Sequence, residues 1–193
     1  MNEPKNLIVG ICGASGVIYG VRLLQMLREI GGFHVHLVMS STAKLNLRIE
    51  TDWALEAVEA LADQVHDCRD LTAVIASGSY RSAGMIVAPC SIKTLAAIAT
   101  SNADTLLSRA ADVVLKERRR LVLMLRETPL HAGHCKLLWD VSNIGAIVAP
   151  PVPAFYNRPA TLDEVITHSV GRVLDLFDID YRKLQRWHGY PAG

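Results

Sequence analysis

Short unbroken apolar runs alternate along this chain with longer stretches in which apolar residues recur every three or four positions. The runs lie at Asn6–Ile11, His34–Met39, Gly84–Ala88, Leu121–Leu125 and Ala146–Ala149. They are continuous rather than alternating, which predicts strands covered on both faces, as in a parallel sheet. Helical periodicity covers Ser15–Ile30, Asp52–Gln64, Ile92–Thr100, Asp104–Arg118, His131–Asn143 and Leu162–Phe177. Gly145, just past the fifth of these, predicts a left-handed cap. Thr161-Leu-Asp-Glu164 reads as a capping box opening the last. The interval between Ala43 and Ser82 is longer than one crossover needs, and predicts extra helix and a functional loop. Strands and helices alternating in this way predict an open three-layer α/β sandwich, with a mainly parallel sheet and a single domain over residues 1–193.

Composition narrows the class. Half of the 193 residues are hydrophobic and a fifth are charged, which excludes disorder as the default. A formal charge of +1 gives no reason to expect nucleic acid or an anionic membrane as partner. The apolar runs fall far short of the roughly 20 residues that span a bilayer, and the opening MNEPKNLIVG has no signal-peptide pattern. Cys12, Cys68, Cys90 and Cys135 are scattered with no CxxC pair, as expected of reduced thiols in a cytoplasmic protein.

In open α/β folds ligands bind beyond the carboxyl ends of the strands. The segments there are Gly13-Ala-Ser-Gly16, Ser40-Ser-Thr42, Pro89-Cys-Ser-Ile-Lys-Thr94, Arg126-Glu-Thr-Pro129 and Pro150-Pro-Val-Pro-Ala-Phe-Tyr156. All carry hydroxyls, charge or proline, which predicts one composite site. The first segment is not a dinucleotide fingerprint: Cys12 replaces a required glycine, and the second strand ends in Met39-Ser40-Ser41 without an acid. Two readings of Gly13–Gly16 remain, a tight turn with Ser15 as helix cap, or a turn whose free amides face an anion or a flavin edge. Ser91 and Thr94 stand at N-cap spacing in a second such turn, and two of them at neighbouring strand ends suit one mononucleotide. Arg126 and Glu127 end a core strand, where an arginine can grip phosphate and a neighbouring carboxylate can manage its proton. Arg109, Asp112 and Lys116 share a helix face, where charges are usually solvated. His131 and His134 share another but lack a further metal ligand, and Cys90 has no recognisable base.

The motifs Gly13-Ala-Ser-Gly16, Tyr19-Gly-Val-Arg22, Glu50-Thr-Asp52, Ser77-Gly-Ser79, Pro89-Cys-Ser91, Arg109-Ala-Ala-Asp112, Leu115-Lys-Glu-Arg118, Arg126-Glu-Thr-Pro129 and Pro153-Ala-Phe-Tyr156 occur in this order. In this the chain resembles the UbiX-like flavin prenyltransferases, a family also named for phenolic-acid decarboxylation, from about Leu7 to Trp187. The resemblance implies a flavodoxin/Rossmann-like fold that binds FMN. It implies transfer of dimethylallyl from dimethylallyl monophosphate to N5 and C6 of the reduced flavin, without a metal. The product would serve a UbiD-type decarboxylase, and the enzyme would form a large homo-oligomer, commonly a dodecamer, with sites between subunits. Carried over by motif, Gly13, Ala14, Ser15, Ser40, Ser91, Ile92, Lys93, Thr94 and Arg126 would hold FMN, with Arg109 close by. Ser77, Gly78, Ser79, Lys116, Arg126, Glu127, Tyr156 and Arg172 would hold the prenyl phosphate, and Trp187 would help enclose the site. Glu50 would be the acid/base near N5, with Ser15 relaying protons. Lys116 and Glu127 complete the catalytic set.

Two other readings compete. A flavin-dependent cysteine decarboxylase shares the fold but has a Pro-Ala-Ser-Ala-Asn motif where this chain has Pro89-Cys-Ser-Ile-Lys93. A non-catalytic FMN carrier would have no need of a second phosphate pocket built from Lys116, Glu127, Tyr156 and Arg172.

Overall fold

The computed structural model describes residues 4–189; the end of the Trp187–Gly193 tail lies outside them. Six strands, β1 (Lys5–Ile11), β2 (Phe33–Met39), β3 (Gln64–Asp67), β4 (Gly84–Cys90), β5 (Arg120–Leu125) and β6 (Ile147–Val148), form one sheet in the order β3-β2-β1-β4-β5-β6. Every pairing is parallel, so the sheet is wholly rather than mainly parallel. The helices are α1 (Ile18–Ile30), α2 (Ser41–Glu50), α3 (Leu55–Glu59), α4 (Ile92–Ala99), α5 (Leu106–Lys116), α6 (Ala132–Asn143) and α7 (Leu162–Asp175).

Period-2 alternation divides each strand except edge strand β3 between two cores. Leu7, Val9 and Ile11 of β1, with Ile86 and Ala88 of β4, pack under α1 and α7. Ile8 of β1 and Met85 and Val87 of β4 pack under α4 and α5 on the other face. Burial on both faces is why these strands read as continuous apolar runs. Gly20 sets the approach of α1 to the sheet, since a Cβ there would lie 2.4 Å from the Ala88 carbonyl oxygen. Gly20→Ala is therefore expected to destabilise the fold by about 2 kcal/mol or more, because backbone on both sides must shift; a denaturant midpoint equal to wild type would refute this.

Three expectations need correction. The predicted helix Asp52–Gln64 shrinks to α3, its end becoming the start of edge strand β3, while the unassigned Ser41–Glu50 forms α2. Helix α1 starts at Ile18, with Val17 as N-cap and no side-chain cap, so Ser15 is not its cap. At α7 Thr161 accepts from the Glu164 amide as expected, but Glu164 returns its bond to the Ala160 amide. Gly145 has the expected positive φ, 108°. Among the described residues no helix is long and apolar enough to cross a membrane.

Candidate active site

Sheet order reverses between β1 and β4, and the carboxyl ends of the strands open there onto a cavity of ≈ 1460 Å³. That exceeds the roughly 300–1000 Å³ usual for a small-molecule site. All five segments singled out from the sequence reach it, through Gly13–Ser15, Ser40–Thr42, Ser91–Thr94, Arg126–Thr128 and Pro150–Pro153. Not foreseen from sequence are His66, Asp67, Cys68 and Arg69 at the end of β3, and Thr105 and Ser108 at the start of α5. The first group was hidden with its strand. Ser/Thr spacing at Thr105 and Ser108 was the available signal for the second, and the two do form a capping box.

The Gly13–Val17 turn is held from three directions. Glu50 Oε2 accepts the Gly16 and Val17 amides at 2.8 and 3.1 Å, replacing the missing side-chain cap of α1. Asn46 Nδ2 donates to the Ala14 carbonyl at 3.1 Å, and Arg126 Nε to the Ser15 carbonyl at 3.2 Å. Gly13 passes so close to Thr42 that a Cβ would lie 2.6 Å from its side chain.

Across the cavity, the Ser91 hydroxyl accepts the Thr94 amide at 3.2 Å and caps α4. The preceding amides of Ile92 and Lys93, at the positive end of the helix, are then left for an anion. Ser40 caps α2 in the same way through the Ala43 amide. Beneath them Cys12 accepts the Ser91 amide at 2.8 Å. The Cys90 thiol beside it draws its pKa down to about 6, opposed by burial and aided by the Thr94 and Ser91 hydroxyls. Cys90 itself is fully buried and its thiol is pushed up by the Cys12 contact and by burial, which makes it inert as a nucleophile.

The other assigned residues fall elsewhere on the chain. Lys116 ends α5, whose start at Thr105 and Ser108 lines the cavity. Eleven residues of helix separate the two ends by about 16 Å. Lys116 pairs there with Glu117 beside the Ser77–Ser79 loop, where a Cβ on Gly78 would meet its ammonium. Arg119 anchors that loop through the Gly78 and Tyr80 carbonyls. Arg109, expected near the cofactor, instead donates to the Ala76 carbonyl at 3.2 Å and pairs with Asp112 at 2.9 Å. Tyr156, Arg172 and Trp187 belong to a third group, outside the cavity lining. The Tyr156 ring meets Trp187 edge to face at 5.7 Å, and its hydroxyl lies 2.9 Å from His168 Nε2. Arg172 pairs with Asp175, which Arg186 also grips. A single chain thus brings Gly13–Ser15, Ser40, Ser91–Thr94, Arg126 and Glu127 onto one cavity, while Lys116 and Ser77–Ser79 lie outside its lining.

Residues 1–163 match the family described as Flavoprotein. The flavin prenyltransferase UbiX of Salmonella typhimurium is 58% identical over 187 residues, 96% of this chain and 99% of the relative. A crystal structure of AnUbiX (PadA1) in complex with FMN and dimethylallyl pyrophosphate superposes with a TM-score of 0.95 at 48% identity, covering 97% of this chain and 99% of that one. A dodecameric FMN-dependent UbiX-like decarboxylase from Escherichia coli O157:H7 superposes with a TM-score of 0.93 at 50% identity, over 95% and 100%. With fold and sequence in agreement over nearly its whole length, the chain belongs to the UbiX flavin prenyltransferases within the Flavoprotein family.

Proposed function

We propose that this chain transfers a dimethylallyl group from dimethylallyl monophosphate to N5 and C6 of reduced FMN, and that the prenylated flavin passes to a UbiD-type decarboxylase. The observation that carries the reading is the cavity at the β1/β4 switch, where hydroxyl-capped helix starts face the Arg126–Glu127 pair. Its lining suits FMN. Met39, Ala97, Leu107 and Leu125 offer an apolar bed for a ring system, while Ser40, Ser91, Thr94 and Lys93 surround it with donors for a phosphate tail. Gly13, Ala14, Ser15 and Ile92 complete this cofactor wall. Reduced FMN, when bound, supplies the nucleophilic ring atoms that accept the prenyl carbons.

The chain's own residues must make the phosphate leave. Phosphate departs from an allylic carbon only if its growing charge is met by preorganised cations and donors. Lys116, Arg126, Arg172 and Tyr156 are assigned that task, and Glu127 beside Arg126 the proton for the departing oxygen. Ser77, Gly78 and Ser79 would cradle the phosphate, Trp187 would close the site against water, and Glu50 with Ser15 would move protons at the flavin. Lys116 and Ser77–Ser79 stand too far from their own cavity to serve it. They would serve the cavity of a neighbouring copy, which makes the homo-oligomer, a dodecamer by analogy with the E. coli relative, part of the catalytic machinery rather than a packing form. Arg109 is then a support for the Ala76–Ser77 corner of that donated loop.

The test is to incubate the purified protein anaerobically with reduced FMN and dimethylallyl phosphate and weigh the flavin. A gain of one C5H8 unit is expected. An unchanged mass would mark a flavin carrier and overturn the reading.

A further inference from the structure

The phosphate-binding role given to Tyr156 leaves its contact with His168 unexplained. The phenol oxygen lies 2.9 Å from His168 Nε2, with the rings at 79° and their centroids 5.6 Å apart. His168 is 7% exposed. Burial and the guanidinium of Arg172, one turn along α7, hold its pKa below the usual value, while the Gln185 backbone carbonyl and Asp175 favour the charged ring. Asp175 is in turn held by Arg172 and Arg186. Arg172 and Asp175 on α7, Gln185 after it and Tyr156 before it are the groups that bear on the imidazole.

With Nε2 facing the phenol, the Gln185 backbone carbonyl, which only accepts, favours the tautomer with its hydrogen on Nδ1. The neutral ring is then an acceptor at Nε2. In that state the phenol spends its hydrogen on His168 and turns only lone pairs outward, which repel an anion. A proton on Nε2 reverses the contact: the imidazolium donates to the phenol oxygen, and the phenol O–H is free to donate outward.

We propose that His168 is a positioning residue that sets the direction of the Tyr156 hydrogen bond, so that Tyr156 donates to a bound anion only when the imidazole is protonated. This rests on the placement of the prenyl phosphate at Tyr156. An anion there favours the imidazolium, so binding draws a proton from solvent wherever the free ring is neutral. The sign follows by linkage: affinity falls as pH rises above the free-ring pKa, by at most about tenfold per pH unit, and is flat below it.

Inorganic sulfate is the probe, because its charge is constant across the range. It is titrated calorimetrically into the intact oligomer in two buffers of different protonation enthalpy. Wild type is expected to take up close to one proton per site near pH 7. His168→Gln is expected to bind sulfate with no uptake and a flat pH profile. Tyr156→Phe, which leaves the imidazole in place, should also abolish the uptake, and both variants should melt cooperatively. Uptake undiminished in His168→Gln would overturn the proposal. Wild-type binding without uptake would overturn it while leaving the phosphate placement standing, and absence of any sulfate binding in wild type would overturn both.

Discussion

Co-expressed as a mixture, Lys116→Ala and Arg126→Ala chains are expected to recover activity that neither has alone. Each homo-oligomer should be impaired about 10²–10³-fold, the usual cost of removing one preorganised charge from a reaction centre. In a random one-to-one mixture, a working site needs a cavity with Arg126 intact and a neighbour with Lys116 intact. Those conditions coincide in roughly a quarter of the sites when the two come from different subunits. Arg126→Ala mixed with Glu127→Ala is the control. Both residues line the same cavity, so every site in that mixture carries one lesion and nothing is recovered. Flavin mass read over time decides the matter. A Lys116/Arg126 mixture as slow as its parents would show that Lys116 serves no neighbouring cavity.

That outcome turns on a fact that linear sequence does not carry. Five strands were legible because burial on both faces leaves a continuous apolar run, and five cavity segments because hydroxyls and charge follow those runs directly. β3 was not legible. Gln64-Val-His-Asp67 is an edge strand whose only buried side is His66, so its pattern merges with the tail of the preceding helix. Helix α2 was hidden for a related reason: only Ala43 and Leu47 of its ten residues are buried, too few to show a period. The motif match gathered Lys116, Glu127 and Tyr156 into one set, but a motif gives membership without position. The direction of α5, which runs back from the cavity toward the start of β5, is what carries Lys116 toward the amino-terminal end of the strands. His168 was invisible for a different reason, since its partner lies 12 residues away, across the turn that leads into α7, and no helical or strand spacing joins them.

At Glu50 the fold itself assigns a task that competes with the chemical one, and two substitutions separate them. The carboxylate accepts the Gly16 and Val17 amides and so caps α1 from outside that helix. Glu50→Ala strands both amides beside the cofactor turn. It is expected to cost about 2 kcal/mol of stability, between the loss of a helix cap and the loss of a charged hydrogen bond, and to weaken FMN binding by loosening Gly13–Ser15. Glu50→Gln keeps an oxygen facing the same amides and loses only the charge at the helix start, a cost of roughly 0.3–1 kcal/mol. Its melting temperature and FMN affinity should therefore stay near wild type. If Glu50 also moves a proton at the flavin, the glutamine variant must nonetheless lose about 10²–10⁴-fold in the rate of prenyl transfer, because an amide holds a turn as well as a carboxylate but does not exchange protons. A glutamine variant that prenylates at the full rate would confine Glu50 to holding the turn. The alanine variant would then be slow only through the FMN it fails to retain, and saturating flavin would restore it.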